Sequence, residues 1–318
     1  MHILSLFEMD AVHQQALEAL APQAQWRYTT SDRLEEPDLD WADIILGNPP
    51  VSLLHGQENL KLICLNSAGS DAYVKQGRLH PKTLLTNASG AYGQAIAEYV
   101  LSYILYFYKN LHLYTANQRQ HRWQYEGRIE SLQGKKVLIV GAGDIGSHVA
   151  KLLAPLGTIN LGIRRTARPL PAYFQSSHTL SELDELLPDA DIVVLSLPQS
   201  DKTQQLFDMK RLKEMKKDAI LINVGRGSAI VTEDLYAVMK EGHLKAAALD
   251  VVDPEPLPQN DPLWNLDNLL LTPHCTGGYS LAQTYEKVYQ IIYQNLKAYL
   301  AAEPLTNLVD PQTGYRQG

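Results

Sequence analysis

The stretch "KKVLIVGAGDIGSHVAKLLAPLG", residues 135–157, decides the fold. Residues 136–140 are apolar without alternation, as in a strand buried on both faces. The run enters a G-x-G-x-x-G turn and then a segment with helical apolar spacing. Gly141 permits the tight turn, Gly143 lets the backbone approach a pyrophosphate, and Gly146 lets the helix pack on the strand. A helix N-terminus there offers free N–H groups and partial positive charge to phosphates. Asp144 and Ile145 lie in the same loop and are candidate contacts. The motif alone is weak, and a glycine turn without a ligand is the alternative. The strand before it and the helix after it favour a dinucleotide.

The next strand, "TINLGI" (158–163), ends where an acidic residue is expected to bind the adenosine ribose. Arg164 and Arg165 stand there instead, opening "RRTAR" (164–168). A guanidinium binds phosphate through paired, charge-assisted hydrogen bonds. The pair therefore points to NADP, with NAD beside two solvated arginines as the alternative.

Working outward, further strands are predicted near 191–195, 219–223, 245–250 and 269–271, with helical segments between them that include 181–187 and 232–242. Thr232 is the expected N-cap of the latter. Before the glycine loop a separate βα series has strands at 2–7, 42–48, 60–65 and 83–89 and a helix at 11–20. A long helix over 93–110 carries Tyr99, Tyr103, Tyr106 and Phe107 at helical spacing, read as core or subunit interface. Residues 117–135 are polar and read as a connection, and a last helix spans 281–301. The pattern predicts two α/β domains, both doubly wound parallel sheets, one inserted in the other. The boundaries are 1–97 with 281–318 for the outer domain and 98–280 for the inserted one.

The chain has 318 residues and a net charge of −7, which suits two domains and argues against nucleic-acid binding. Its most basic run, "KRLKEMKK" (210–217), reads as a solvated helix face. Cys64 and Cys275 form no C-x-x-C pair, so neither a disulfide framework nor a metal site is expected. The N-terminus reads as a strand and not a leader, and no apolar run is long enough to span a membrane. A cytoplasmic location is expected.

Three strand ends supply chemistry: "NVGRGS" (223–228), "DVVDPEPLP" (250–258) and "TPHCTGG" (272–278). In open parallel sheets, ligands bind beyond the carboxyl ends of the strands. Reduction of a ketone by a nicotinamide needs a proton donor and an anchor for substrate charge. His274 can give the proton near neutral pH. Glu255, in contact with it, would favour the imidazolium, and Arg226 can hold a carboxylate or polarise a carbonyl. Singly, each could be structural.

The chain resembles the D-isomer-specific 2-hydroxyacid dehydrogenases over nearly its whole length. The resemblance rests on "LNSAGSD" (65–71), "GAGDIG" (141–146), "LSLPQSDKT" (195–203), "LINVGRG" (221–227), "ALDVVDPEPLP" (248–258), "PLW" (262–264) and "LTPH" (271–274). It implies a Rossmann domain inserted in a flavodoxin-like substrate domain, and a homodimer. It makes Arg226, Glu255 and His274 the catalytic Arg, Glu and His. Backbone N–H groups at Gly69 and Ser70 would receive the substrate carboxylate. Asp250 would lie near the nicotinamide carboxamide, Pro198 and Thr203 would line the cofactor, and Val224 and Gly277 would complete its contacts. The implied substrates are small 2-oxo acids such as glyoxylate and hydroxypyruvate, reduced to D-2-hydroxy acids. A phosphoglycerate dehydrogenase-like enzyme and a non-enzymatic nucleotide-sensing protein are the alternatives. Three positions depart from the family pattern: Ser70, Tyr92 and the pair Cys275–Thr276. A nucleophilic Cys275–His274 dyad is not expected, since neighbours on an extended segment point apart.

Overall fold

The computed structural model describes residues 1–74, 78–166, 169–279, 281–311 and 314. It divides into two units, Met1–Tyr92 with Tyr279–Gly318, and Gly93–Gly278.

The first unit contains β1 (His2–Ser5), α1 (Ala11–Leu20), β2 (Gln25–Tyr28), α2 (Glu36–Trp41), β3 (Ile44–Leu46), β4 (Leu62–Cys64) and β5 (Leu84–Thr86). Its sheet has the order β2-β1-β3-β4-β5, with every pairing parallel. That is the flavodoxin-like order, with a switch point between β1 and β3. Ile3, Leu4, Ile44, Ile45, Leu62 and Ile63 are fully buried, which explains the unbroken apolar runs.

The second unit opens with α3 (Gly93–Tyr108) and α4 (Leu111–Arg119). There follow β6 (Lys136–Val140), α5 (Asp144–Leu153), β7 (Ile159–Arg164), β8 (Ser176–Thr179), α6 (Leu183–Leu186), β9 (Ile192–Leu195), α7 (Met209–Glu214), β10 (Ile220–Asn223), α8 (Thr232–Lys240), β11 (Ala246–Leu249) and β12 (Leu269–Leu271). The parallel sheet runs β12-β11-β10-β9-β6-β7-β8. The order reverses between β6 and β9, the crevice where a Rossmann sheet holds its ligand. Helix α5 buries Gly146, Val149, Ala150 and Leu153, one face at helical spacing. The chain then returns to the first unit with α9 (Ala282–Leu300), which packs on α1 and β4.

Several boundaries differ from the sequence reading. The chain crosses between units at 92/93 and 278/279 rather than 97/98 and 280/281, because α3 packs along α5 and goes whole with the second unit. The aromatic stripe of α3 is largely interior, with Tyr103 and Phe107 nearly inaccessible. That helix stops at Tyr108 rather than 110, and Asn110, in the left-handed region, starts α4, whose last residues enter the stretch read as a connection (117–135). Strands β2 and β8 were not anticipated. Each lies at a sheet edge, where "QWRY" and "SSHT" need no continuous apolar run, although the opposite edge strands β5 and β12 are apolar. Thr232 is not a cap: the cap residue is Val231, and the Thr232 hydroxyl donates to the Asp253 carbonyl at 3.0 Å. Leu212 and Met215 are buried in the 210–217 run, while Lys210, Lys213 and Lys216 pair with surface carboxylates. Cys64 and Cys275 are both free thiols, and burial pushes that of Cys64 up to about 12. Among the described residues, no helix is long and apolar enough to cross a membrane and no cluster could hold a metal ion.

Candidate active site

The glycine loop follows β6 directly. Gly141 has φ +111°, and a Cβ there would lie 2.7 Å from the Ser196 carbonyl oxygen. A Cβ on Gly146 would lie 2.4 Å from the Gly141 carbonyl oxygen, so the close helix–strand contact requires glycine. Gly143 differs, since a Cβ there meets nothing within 4 Å. It is exposed, and it stands at the N-terminus of α5, whose first-turn N–H groups have no intrahelical acceptor. Space over Gly143, unpaired amides and a helix dipole together fit a pyrophosphate. Asp144 and Ile145 open the helix and are half-buried. Arg164 ends β7 half-buried, and Arg165 follows it, exposed. Ala167 and Arg168 of the same stretch lie outside the described residues. After β9, the Thr203 hydroxyl donates to the Pro198 carbonyl at 2.7 Å and accepts from the Ser200 N–H at 2.8 Å, closing a compact turn. Val224 is buried after β10, and Gly277 is half-buried beyond His274.

The catalytic candidates stand at the carboxyl ends of β10, β11 and β12. His274 and Glu255 meet: His274 Nδ1 lies 2.7 Å from Glu255 Oε1, with side-chain exposures of 50% and 41%. A carboxylate on Nδ1 fixes the tautomer and leaves Nε2 to act on a ligand. The half-exposed Arg226 begins the turn after β10. Its Nη1 donates to the Gly225 carbonyl at 2.9 Å. The fully buried Asn223 shapes that turn. Its Oδ1 accepts from the Gly225 N–H at 3.0 Å, and its Nδ2 donates to the Arg226 carbonyl at 2.9 Å. A Cβ on Gly227 would lie 1.9 Å from the Val252 carbonyl oxygen. Glycine there lets the Arg226 turn rest on the segment leading to Glu255.

Asp250 has a structural part that sequence did not disclose. It is 3% exposed. Its Oδ1 accepts from the Thr272 hydroxyl (2.6 Å) and the Cys275 N–H (3.0 Å), and its Oδ2 from the Thr276 hydroxyl (2.6 Å). The Thr276 N–H is shared between both oxygens. Tyr103 extends the network, its hydroxyl 2.8 Å from that of Thr272. Because Thr272 donates to the carboxylate, Tyr103 donates to Thr272. Burial holds the Tyr103 hydroxyl above its ordinary pKa and so keeps it a donor. The carboxylate grips residues on both sides of His274, whose φ is +49°. Such a backbone costs about 1–2 kcal/mol for a residue with a Cβ, and the Asp250 hydrogen bonds offset it. The segment is thus not extended at His274, contrary to the premise used against a Cys275 dyad. The imidazole is nevertheless paired with Glu255. Thr276, one of the departures from the family pattern, is part of this grip.

In the first unit, "NSAGS" (66–70) presents the opposite arrangement. Every carbonyl is occupied. Asn66 accepts from the Tyr92 and Tyr279 hydroxyls, Ser67 from the Ala88 N–H, Ala68 from Asn87 Nδ2, Gly69 from the Ser67 hydroxyl, and Ser70 from the Tyr73 N–H. The N–H groups of Ser67, Ala68, Gly69 and Ser70 donate to no described residue. Successive unpaired amides suit an anion. The buried Ser70 hydroxyl is tied to the Gly314 carbonyl at 2.9 Å, so only its backbone is on offer.

Residues 101–276 match the model of the D-isomer specific 2-hydroxyacid dehydrogenase NAD binding domain. Glyoxylate/hydroxypyruvate reductase A of Klebsiella pneumoniae is 30% identical over 279 residues, 85% of this chain and 86% of that one. A D-isomer specific 2-hydroxyacid dehydrogenase family protein from Aeromonas salmonicida superposes with a TM-score of 0.86 at 32% identity, covering 98% and 99% of the two chains. A D-isomer specific 2-hydroxyacid dehydrogenase from Xanthobacter autotrophicus, solved with NADPH and MES, gives 0.82 at 30% identity and 99% of both. Fold and site define an oxidoreductase that uses a nicotinamide dinucleotide. The chain belongs to the D-isomer specific 2-hydroxyacid dehydrogenase family, whose members act on CH–OH groups with NAD(P).

Proposed function

We propose that this enzyme reduces small 2-oxo acids, glyoxylate and hydroxypyruvate first among them, to D-2-hydroxy acids with NADPH preferred over NADH. The observation that carries the reading is the His274–Glu255 pair at the end of β12, in the sheet that bears the glycine loop. A bound nicotinamide supplies the hydride. His274 Nε2 gives a proton to the substrate oxygen as the carbon is reduced, and Glu255 supports the resulting change of charge. Arg226 holds the carboxylate and polarises the carbonyl, and the amides of Gly69 and Ser70 receive carboxylate oxygen. Asp144, Ile145, Pro198, Thr203, Val224, Asp250 and Gly277 line the cofactor, and Arg164 with Arg165 binds the 2′-phosphate. The NADPH bound by the Xanthobacter relative supports the cofactor preference, and the name of the Klebsiella relative supports the substrates.

The test compares kcat/KM for glyoxylate and hydroxypyruvate with that for glyoxal and methylglyoxal, each with NADPH and NADH. Acids are expected to exceed their uncharged analogues, and NADPH to exceed NADH, with Arg164→Asp reversing the cofactor order. Equal rates for acids and uncharged carbonyls would remove the substrate assignment, and a wild-type preference for NADH would remove the arginine argument.

We further infer a homodimer in the cytoplasm. Trp123, Tyr125 and Ile129 are largely exposed on an irregular segment after α4, and large apolar side chains so exposed suit burial against a partner copy. Sedimentation of only a 35.5 kDa species at micromolar concentration would refute the dimer.

A further inference from the structure

The chain leaves the first unit after Tyr92 and re-enters it at Tyr279. These two residues, far apart in sequence, donate their phenolic hydroxyls to one atom, the carbonyl oxygen of Asn66. The Tyr279 bond is 2.9 Å. Asn66 begins the stretch whose next four amides are unpaired. We propose that Tyr92 and Tyr279 are positioning residues for the substrate: together they clamp Asn66 and so hold the 67–70 amides aligned on a carboxylate.

A carbonyl oxygen has two lone pairs, and here each is met by a phenol. Both residues are set for this by burial and by their neighbours. Tyr92 is only 6% exposed, and burial, then the neighbouring Tyr279, pushes its hydroxyl above the ordinary pKa. Tyr279 is shifted the same way by burial. Both therefore remain donors throughout the neutral range. Tyr279 is steered from its other side by an edge contact with Phe7 at 5.8 Å and another with Tyr285 at 6.5 Å. The Asn66 N–H is held as well, by Asn48 Oδ1 at 3.0 Å. The loop is thus fixed at its root, while the amides beyond it stay available.

The proposal rests on the reading that these amides receive a carboxylate, so the experiment separates the two. Tyr92→Phe, Tyr279→Phe and the double variant each remove hydroxyls while keeping the rings. Glyoxylate KM and kcat are measured at saturating NADPH, NADPH affinity by fluorescence, and oxalate affinity of the NADPH complex by calorimetry. Each single change is expected to raise glyoxylate KM and oxalate Kd about 2- to 10-fold, the value of one hydrogen bond. The double change should exceed the product of the two, because the carbonyl then loses its last donor. NADPH affinity should not move. A double variant that binds oxalate as wild type does would overturn the clamp, as would parallel losses of oxalate and NADPH binding. A wild type that binds oxalate but reduces no 2-oxo acid would sink the reductase reading alone, leaving oxalate affinity to judge the clamp. A wild type that binds no oxalate overturns it. Should the double variant fail to fold, Tyr279→Phe decides, since that ring is 41% exposed.

Discussion

The loop carrying His274 and the loop carrying Gly69 are built on opposite hydrogen-bonding plans. Around His274, a buried carboxylate collects the amides of Cys275 and Thr276 and the hydroxyls of Thr272 and Thr276. Around Gly69, two phenols, an amide side chain, a serine hydroxyl and backbone N–H groups collect the carbonyls. The first plan uses up backbone donors and leaves a side chain free to react. The second uses up backbone acceptors and leaves donors free to bind. A loop that must present an imidazole buries its amides, and a loop that must present amides buries its carbonyls.

Three sets of variants test that contrast, in falling order of effect. His274→Ala removes what the first loop presents. Loss of general acid catalysis is expected to cost about 10²–10⁴ in kcat, with NADPH affinity intact by fluorescence titration. A variant retaining wild-type turnover would take His274 out of the reaction. Asp250→Asn removes the hub instead. Hydrogen bonds to a charged group are worth about 1.5–3 kcal/mol, so kcat should drop roughly 10- to 100-fold as the left-handed backbone at His274 loses its restraint. Unchanged kcat would show that the loop holds His274 without the carboxylate. The finest comparison pairs Thr276→Val, which deletes one hydrogen bond to the Asp250 carboxylate worth about 1.5–3 kcal/mol, with Ser67→Ala, which deletes one neutral bond worth about 0.5–1.5 kcal/mol. The first should lower kcat and the second should raise KM for the 2-oxo acid. The same kinetic signature from both would erase the distinction between the loops.

How much of this was legible depends on where each side chain's partner lies. The glycine loop was readable because its needs are local, a positive φ at Gly141 and a close contact at Gly146. The His274–Glu255 pairing followed from chemistry at successive strand ends. Buried strands such as β3, β4 and β9 announced themselves by apolar runs. Edge strands β2 and β8 did not, since a strand with one neighbour needs no continuous apolar sequence. The supports of the site were hidden for a different reason. Asn223, Thr272 and Thr276 are small polar residues within the motifs, with nothing to mark them as supports of the site. Tyr103 sits in a stripe whose spacing reports only a helix face. That its hydroxyl reaches Thr272, or that Tyr92 and Tyr279 converge on Asn66, is fixed by tertiary packing and has no signature in spacing.

The two crossings at 92/93 and 278/279 also bear on the order in which the molecule can be completed. The second unit is one uninterrupted piece of chain, whereas the first needs α9 from the far side of it. As the polypeptide emerges from the ribosome, the unit with the glycine loop has all its strands while the earlier one still lacks a helix that covers α1 and β4. Domains generally finish in the order they are made; here the insertion reverses that order, and the half begun first is the half closed last.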